Sequence, residues 1–377
     1  MYILRLTFEK ESFVCEVILG ATMKRSGLTL ALILILGNCY SQKPDYNERI
    51  SLIGKNINQH FRSATPGLYK ETNAFRNEKP FSYLWPLCAL IQAANETEVL
   101  KSESPVFDTI FRTITDNYYN SAPPSPGYQA YVSSAGKDTR YYDDNQWIGI
   151  ALMDAFSRSG NKNYLDKAAE IYRFMMTGYD TISGGGIYWR EGDNSTKNTC
   201  SNGPGILLAL QLFNATGDKD YLKNATDLFG WVNNNLKSPE GFYYDAVKVK
   251  EMKIDSAVYT YNTGTMLQSY VLFYNISKDQ KYLDEAHRIA AAAKKKFYVN
   301  NKLPDHYWFN AVLLRGFIEL SKADGNFDQI AFIADEAERI WNVNRDENGL
   351  VGKRLVKTLI DQAAMLEIFA RLKQVEK

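Results

Sequence analysis

Two kinds of helical segment alternate along this chain, and that alternation limits the folds open to it. "GNKNYLDKAAEIYRFM", "GDKDYLKNATDLFGWV" and "KDQKYLDEAHRIAAAA" align on Tyr164, Tyr221 and Tyr282, a period of roughly 60 residues. Each carries a polar start, a Tyr-Leu pair and then alanine at helical spacing, which makes one apolar face. A fainter copy begins at "GNFDQIAFIADEAERIW". Between them lie segments apolar on every side: "WIGIALMDAF", "GPGILLALQLF", "TMLQSYVLFY", "WFNAVLLRGFIEL" and "DQAAMLEIFARL". Helices near residues 46–61, 82–94 and 104–118 bring the total to about twelve. A helix that is apolar all round must be buried, and an amphipathic one can cover it. Six such pairs stack into an open solenoid or close into an (α/α)6 barrel. The units are long and their loops very unequal, which favours the all-α, closed (α/α)6 barrel.

Connections into the amphipathic helices are short and polar, as at Ser159-Gly160-Asn161 and Thr216-Gly217-Asp218. Connections into the apolar helices are long and rich in Gly, Tyr and Trp, and in an up-and-down array they all fall on one rim. Functional sites are usually built from long loops on a rigid scaffold. "GGIYW" and "GFYYD" are expected as short strands within those loops.

At one inner-helix start stands "RYYDDNQWIGIALMDAF". Asp143 could cap the helix, with Gln146 completing a capping box, and Asp144 could favour the positive helix end. Capping needs a single carboxylate, however, and a second beside it is electrostatically costly. Two close carboxylates with split protonation are what acetal hydrolysis requires. Neighbouring residues at a helix start hold carboxyl groups roughly 5–6 Å apart, which suits the retaining geometry. Tyr141, Tyr142 and Trp147 frame the pair. Other polar-aromatic clusters mark the remaining starts: "FSYLWPL", "SNGP", "YTYNTG", "LPDHYWFNA" and "LIDQAAML". Each alone is explained by capping. Together they outline a cleft for a neutral polyhydroxylated ligand.

The bulk numbers agree with a neutral ligand. Net charge is +1 over 377 residues with both signs dispersed, which argues against nucleic acid and acidic membrane as partners. Aromatic residues make up 13% of the chain, supplying flat faces that stack on sugars or fill cores. His60, His287 and His306 lie far apart without ligand spacing, and no C-x-x-C pair occurs.

The N-terminal residues point to export. Met23-Lys24-Arg25, "SGLTLALILILG" and "NCYSQKP" compose a secretory signal, too short for a permanent span. Met23 is then the start, residues 1–41 hold an over-called segment plus the signal, and 42–377 form one domain. Cleavage after Ser41 would release a periplasmic or secreted protein. Alternatively, "LGNC" is an imperfect lipobox, and Cys39 would carry a lipid anchor at the outer membrane or cell surface. In the released form Cys88 and Cys200 remain, as a disulfide or as two free thiols.

"YYDDNQW", "GGIYW" followed by "KNTCSNGP", "YTYNTG" and "WFNAVLLRG" resemble glycoside hydrolase family 76, in family order, from about residue 60 to 370. The resemblance implies an (α/α)6 fold and a retaining endo-α-1,6-mannanase that needs no cofactor or metal. Carried over, it makes Asp143 the nucleophile and Asp144 the acid/base. Trp85, Tyr142, Asn145, Trp189, Asn202, Tyr261, Asn262, Trp308 and Asp361 become sugar-binding candidates on a mannose polysaccharide or oligosaccharide. Thr263 departs from the family's Asn-Gln-Gly. A mannan transglycosidase with the same site, the same barrel acting on another glycan, and a non-catalytic glycan-binding barrel are the alternatives.

Overall fold

The computed structural model describes residues 2–4, 17–19, 44–74, 78–101 and 105–376. The segment containing Met23, Cys39 and the apolar signal run lies outside the described residues. Two compact units are present, Met1–Lys43 and Pro44–Lys377. In the first, β1 (Tyr2–Leu4) pairs antiparallel with β2 (Val17–Leu19).

The second unit contains twelve α-helices among its described residues. Six are buried on almost every side: α2 (Leu84–Val99), α4 (Tyr142–Ser159), α6 (Thr199–Thr216), α8 (Thr260–Ser277), α10 (Tyr307–Asp324) and α12 (Leu359–Val375). Each packs on the next, and α12 returns to pack on α2. That last contact closes the ring, so the array is the expected barrel and not a solenoid. The amphipathic α1 (Tyr46–Asn56), α3 (Phe107–Tyr118), α5 (Lys162–Met176), α7 (Lys219–Asn235), α9 (Gln280–Phe297) and α11 (Ala331–Val343) cover it from outside.

The short connections share one design. The inner helix ends in a left-handed residue, and the outer helix is capped by an Asn or Asp. Gly160-Asn161, Gly217-Asp218 and Lys278-Asp279 follow this pattern, with the side chain accepting an N–H two residues on. Lys278 takes φ +58 where glycine stands elsewhere. Helices α8 and α10 approach backbone to backbone at Gly264 and Gly316. A Cβ on Gly264 would sit 2.7 Å from the Leu313 Cα, which explains the glycine ending "YTYNTG".

The long connections supply the strands. β3 (Tyr119–Asn120) pairs with β4 (Gly127–Tyr128). β5 (Tyr188–Arg190), β6 (Asp193–Asn198), β7 (Tyr244–Lys248) and β8 (Lys253–Val258) form one antiparallel sheet in that order. The expected "GGIYW" and "GFYYD" strands are there, and their two hairpins join through β6 and β7. Buried cations brace these loops. Lys197, fully buried, donates to the Asp180 carboxylate and to the Ile182 and Gly185 carbonyls. Arg140 pairs with Glu191 and donates to the Asn120, Ala122 and Ser125 carbonyls.

At the far end of the barrel, charged side chains tie five inner helices together. Arg315 forms a bidentate pair with Glu367 at 2.6 and 2.8 Å. Arg371 reaches both Glu367 and Glu96, and Gln92 and Gln211 donate to Asp154. Burial opposes ionisation of Glu367, but Arg315 and Arg371 hold its carboxyl below the usual range. Removing one member of a buried ion network leaves the others unpaired. Glu367→Ala is therefore expected to cost about 3–5 kcal/mol in urea unfolding; a loss under about 1 kcal/mol would mean the network adds no net stability.

Candidate active site

All six inner helices begin on the long-loop rim, and a recurring hydrogen-bond pattern sets where those loops lie. In α4 the fourth residue is Asn145. Its Oδ1 accepts the Tyr128 N–H at 2.7 Å, and its Nδ2 donates to the Tyr128 and Tyr141 carbonyls. The fourth residue of α6, Asn202, repeats this with Ile187 and Asn198. The fourth residue of α12, Gln362, repeats it with Val351 and Thr358. In α8 the fourth residue is Thr263, which keeps only the accepted N–H, from Tyr243 at 3.3 Å. A side-chain amide in each position closes both the loop and the first helical turn. Threonine lacks the second donor, so at α8 the family departure weakens a loop anchor.

Asn145 and Asn202 are thus fully buried and committed to backbone, rather than facing a ligand. Tyr142 also turns inward: its ring packs on Phe174 at 5.1 Å and its hydroxyl meets Thr177. The capping expectation is corrected as well. Tyr141 is the extended residue before α4, and Asp143 lies inside the first turn without capping it. Gln146 completes no capping box; its Nε2 donates to the Ser201 carbonyl on α6.

What remains open is a cavity of about 860 Å³ with both aspartates in it. Trp85, Tyr141, Trp147, Trp189, Tyr261, Trp308 and Phe309 supply its aromatic walls. Backbone pairing of Tyr141 with Arg190 brings β5 beside the aspartates and sets Trp189 against Tyr141, ring centres 5.0 Å apart and tilted by 56°. Trp147 packs on Trp308 at 5.4 Å and lies under the Arg315 guanidinium, which links the site to the far-end network. Of the residues proposed from sequence to contact ligand, Trp85, Trp189, Tyr261 and Trp308 line this cavity. Asn262 lies behind its wall, with Nδ2 3.4 Å from Asp245. Asp361 faces a neighbouring cavity of about 460 Å³ beyond Trp85 and pairs there with His306 at 3.3 Å.

The two aspartates are treated differently. Asp143 accepts two hydrogen bonds, from the Asp144 N–H at 3.0 Å and the Trp189 indole N–H at 3.2 Å, and the neighbouring Cys200 thiol also favours its ionised form. Burial raises its pKa, and the donors pull against that rise. Among the described residues no group donates to the Asp144 carboxyl. Burial first and the Asp143 charge second push its pKa well above the ordinary carboxylate range. One oxygen pair is prepared to be an anion, and its neighbour to hold a proton. Cys88 and Cys200 are both free thiols. Among the described residues no His, Cys, Asp or Glu cluster is arranged to hold a metal.

Asp245, Asn198, Cys200 and Phe309 also line the cavity and were not singled out from sequence. Cys200 and Asn198 sit in the "KNTCSNGP" motif, just ahead of the Ser-Asn-Gly-Pro turn. Asp245 ends "GFYYD", and an aspartate closing an aromatic rim hairpin was the available signal.

Asn202→Ala would leave the Ile187 N–H unpaired and remove one of two side-chain donors to the Ile187 and Asn198 carbonyls, which the Ser201 hydroxyl also reaches, an expected loss of about 1–3 kcal/mol in denaturant unfolding. Asp144→Asn is expected to raise the melting temperature. A carboxyl whose folded pKa exceeds its unfolded value of about 3.9 costs stability increasingly as pH rises above that value. The gain should accordingly be larger at pH 8 than at pH 4; equal gains would contradict the raised ionisation.

Comparison with known proteins agrees with this geometry. A family model described as glycosyl hydrolase family 76 matches residues 45–365. The mannan endo-1,6-alpha-mannosidase of Candida albicans is 27% identical over 206 residues, 50% of this chain and 45% of its own length. The Saccharomyces cerevisiae protein of that name is 30% identical over 175 residues, 39% of each. The chain thus spans less than half the length of the curated relatives it matches. Among solved structures, a GH76 alpha-mannanase from Bacteroides thetaiotaomicron superposes with TM-score 0.81 at 26% identity, over 88% of this chain and 96% of that one. The GH76A alpha-1,6-mannanase of a Salegentibacter species shares the fold with TM-score 0.76 at 20% identity, over 88% and 100%. With the family match running from α1 into α12, through every inner-helix start on the rim, the chain belongs to glycosyl hydrolase family 76.

Proposed function

We propose that this protein cleaves α-1,6-mannosidic linkages within mannan by a retaining mechanism. The observation that carries the reading is the unequal hydrogen bonding of two adjacent carboxyls in one aromatic cleft. Asp143, with hydrogen bonds from the Asp144 N–H and the Trp189 indole, is the nucleophile: its carboxylate attacks the anomeric carbon and forms a covalent mannosyl-enzyme. Asp144, undonated and protonated, gives its proton to the departing glycosidic oxygen. In the second step Asp144 takes a proton from water, the water oxygen attacks the anomeric carbon, and Asp143 leaves. Two inversions give net retention.

The relatives support the substrate. Curated ones are named mannan endo-1,6-alpha-mannosidases. An inactive Salegentibacter mannanase with two adjacent aspartates replaced was solved with α-1,6-mannotriose. The basic start and apolar run at residues 23–41 support export, with release after Ser41 or lipidation at Cys39 as the two routes. No helix among the described residues is long and apolar enough to cross a membrane.

Linear α-1,6-mannan should be cut to oligosaccharides whose new reducing ends appear first as the α anomer by NMR. A first-formed β anomer would overturn the nucleophile assignment, and transfer to added mannobiose in preference to water would make the protein a transglycosidase. Asp143→Asn and Asp144→Asn should each lower kcat at least about 10³-fold with the fold retained by circular dichroism. The profile of kcat/KM against pH should be bell-shaped, its acidic limb set by Asp143 ionising and its basic limb by Asp144 losing its proton.

A further inference from the structure

Against the catalytic cavity packs a buried arginine that the cleavage chemistry does not use. Arg315 stands on α10, two turns after Trp308, so both project from one side of that helix. Arg315 is 4% exposed, and its partner Glu367 is wholly buried. The bidentate bond to Glu367 occupies one edge of the guanidinium. Its central carbon lies over the Trp147 ring, 5.3 Å from the centroid. The Trp308 ring meets the same indole edge-on at 5.4 Å. Trp147 follows Asp143 by four residues and Asp144 by three, so it shares their side of α4 and lines the cavity with them.

Folding alone does not call for an arginine at this position. Apolar residues of similar volume are often as stable as a buried ion pair. What the guanidinium adds is a fixed plane. It stacks on an aromatic face while its edge forms a fork to a carboxylate, and Glu367 is itself held from its other side by Arg371. The indole is therefore gripped by two groups from one helix, the Trp308 ring and the Arg315 guanidinium. The charge is managed as well. A bare cation beside a sugar passing through an oxocarbenium-like transition state would oppose the reaction, and Glu367 neutralises it.

We propose that Arg315 is a positioning residue: it fixes the plane of the Trp147 indole, and through that indole the placement of the mannosyl unit against Asp143. This rests on the mannan-cleaving reading above and extends it to a residue that touches no substrate. Misplacing a reacting group by about 1 Å can cost about 10²-fold in rate. A Trp147 ring free to tilt would slow the attack even with both carboxyls in place.

The test is a double-mutant cycle between Arg315 and Trp147, read as kcat/KM from phenol release by an activated aryl α-1,6-mannobioside, which keeps slow variants measurable. Arg315→Lys keeps the charge and a bond to Glu367 but loses the flat fork. In wild type it should lower kcat/KM at least about tenfold. In a Trp147→Leu background, where no indole is left to hold, the same change should cost less than about twofold. General damage to the barrel would slow both backgrounds by the same factor; that result, or a fall under about threefold in wild type, would overturn the inference. Should Arg315→Lys fail to fold, Arg315→Met made together with Glu367→Met replaces the pair by apolar side chains and is read by the same two comparisons. Wild type that cleaves neither the mannobioside nor α-1,6-mannan would instead defeat the underlying reading.

Discussion

The rim of this barrel hangs from one hydrogen-bond exchange, made by the fourth residue of an inner helix. Asn145, Asn202 and Gln362 each accept a loop N–H, return a bond to the same loop residue, and satisfy a carbonyl just ahead of the helix. The first turn of a helix exposes unpaired backbone groups, and long loops bring more of them. Using one amide for both closes two problems together and fixes the loop's height above the barrel. The β5 hairpin is placed this way through Ile187, and Trp189 follows two residues later to reach Asp143.

From that placement comes the asymmetry of the aspartates. Sequence neighbours in one helical turn share nearly the same burial, so burial alone would raise both. Donors from elsewhere divide them. The Trp189 indole comes from β5 and donates to Asp143, and the Cys200 thiol at the start of α6 also favours its ionised form. Asp144 is left with its neighbour's charge. The two ends of the barrel show opposite uses of buried charge. At the far end Glu367 and Arg315 satisfy one another; at the rim, among the described residues, Asp144 is left without a donor. A site held in that state stores instability as chemical readiness, and the well-paired far end supports the inner helices that carry it.

Much of this could be read along the chain. The alternation of all-apolar and one-faced helices is local, because a helix records its surroundings in the period of its own side chains. The ring of six pairs and the long-loop rim follow from it, and with them the position of "YYDDNQW" on that rim. Asn145, Asn202 and Tyr142 show the limit. Polar and aromatic residues at a helix start look alike whether they meet a ligand or a neighbouring loop, and here they meet the loop.

The sequence by itself determined the helices, their order and the single rim on which the site is built. Those features arise from contacts spaced three or four residues apart, and the pattern carries them. Only the tertiary structure decided that the hairpins of two separate rim loops join through β6 and β7, that Asp245 thereby enters the cleft, and that the Trp189 indole donates to Asp143 and not to Asp144. These are pairings between residues some 45 to 55 positions apart. Their energy depends on where the closed ring places the loops, which no single stretch of chain encodes.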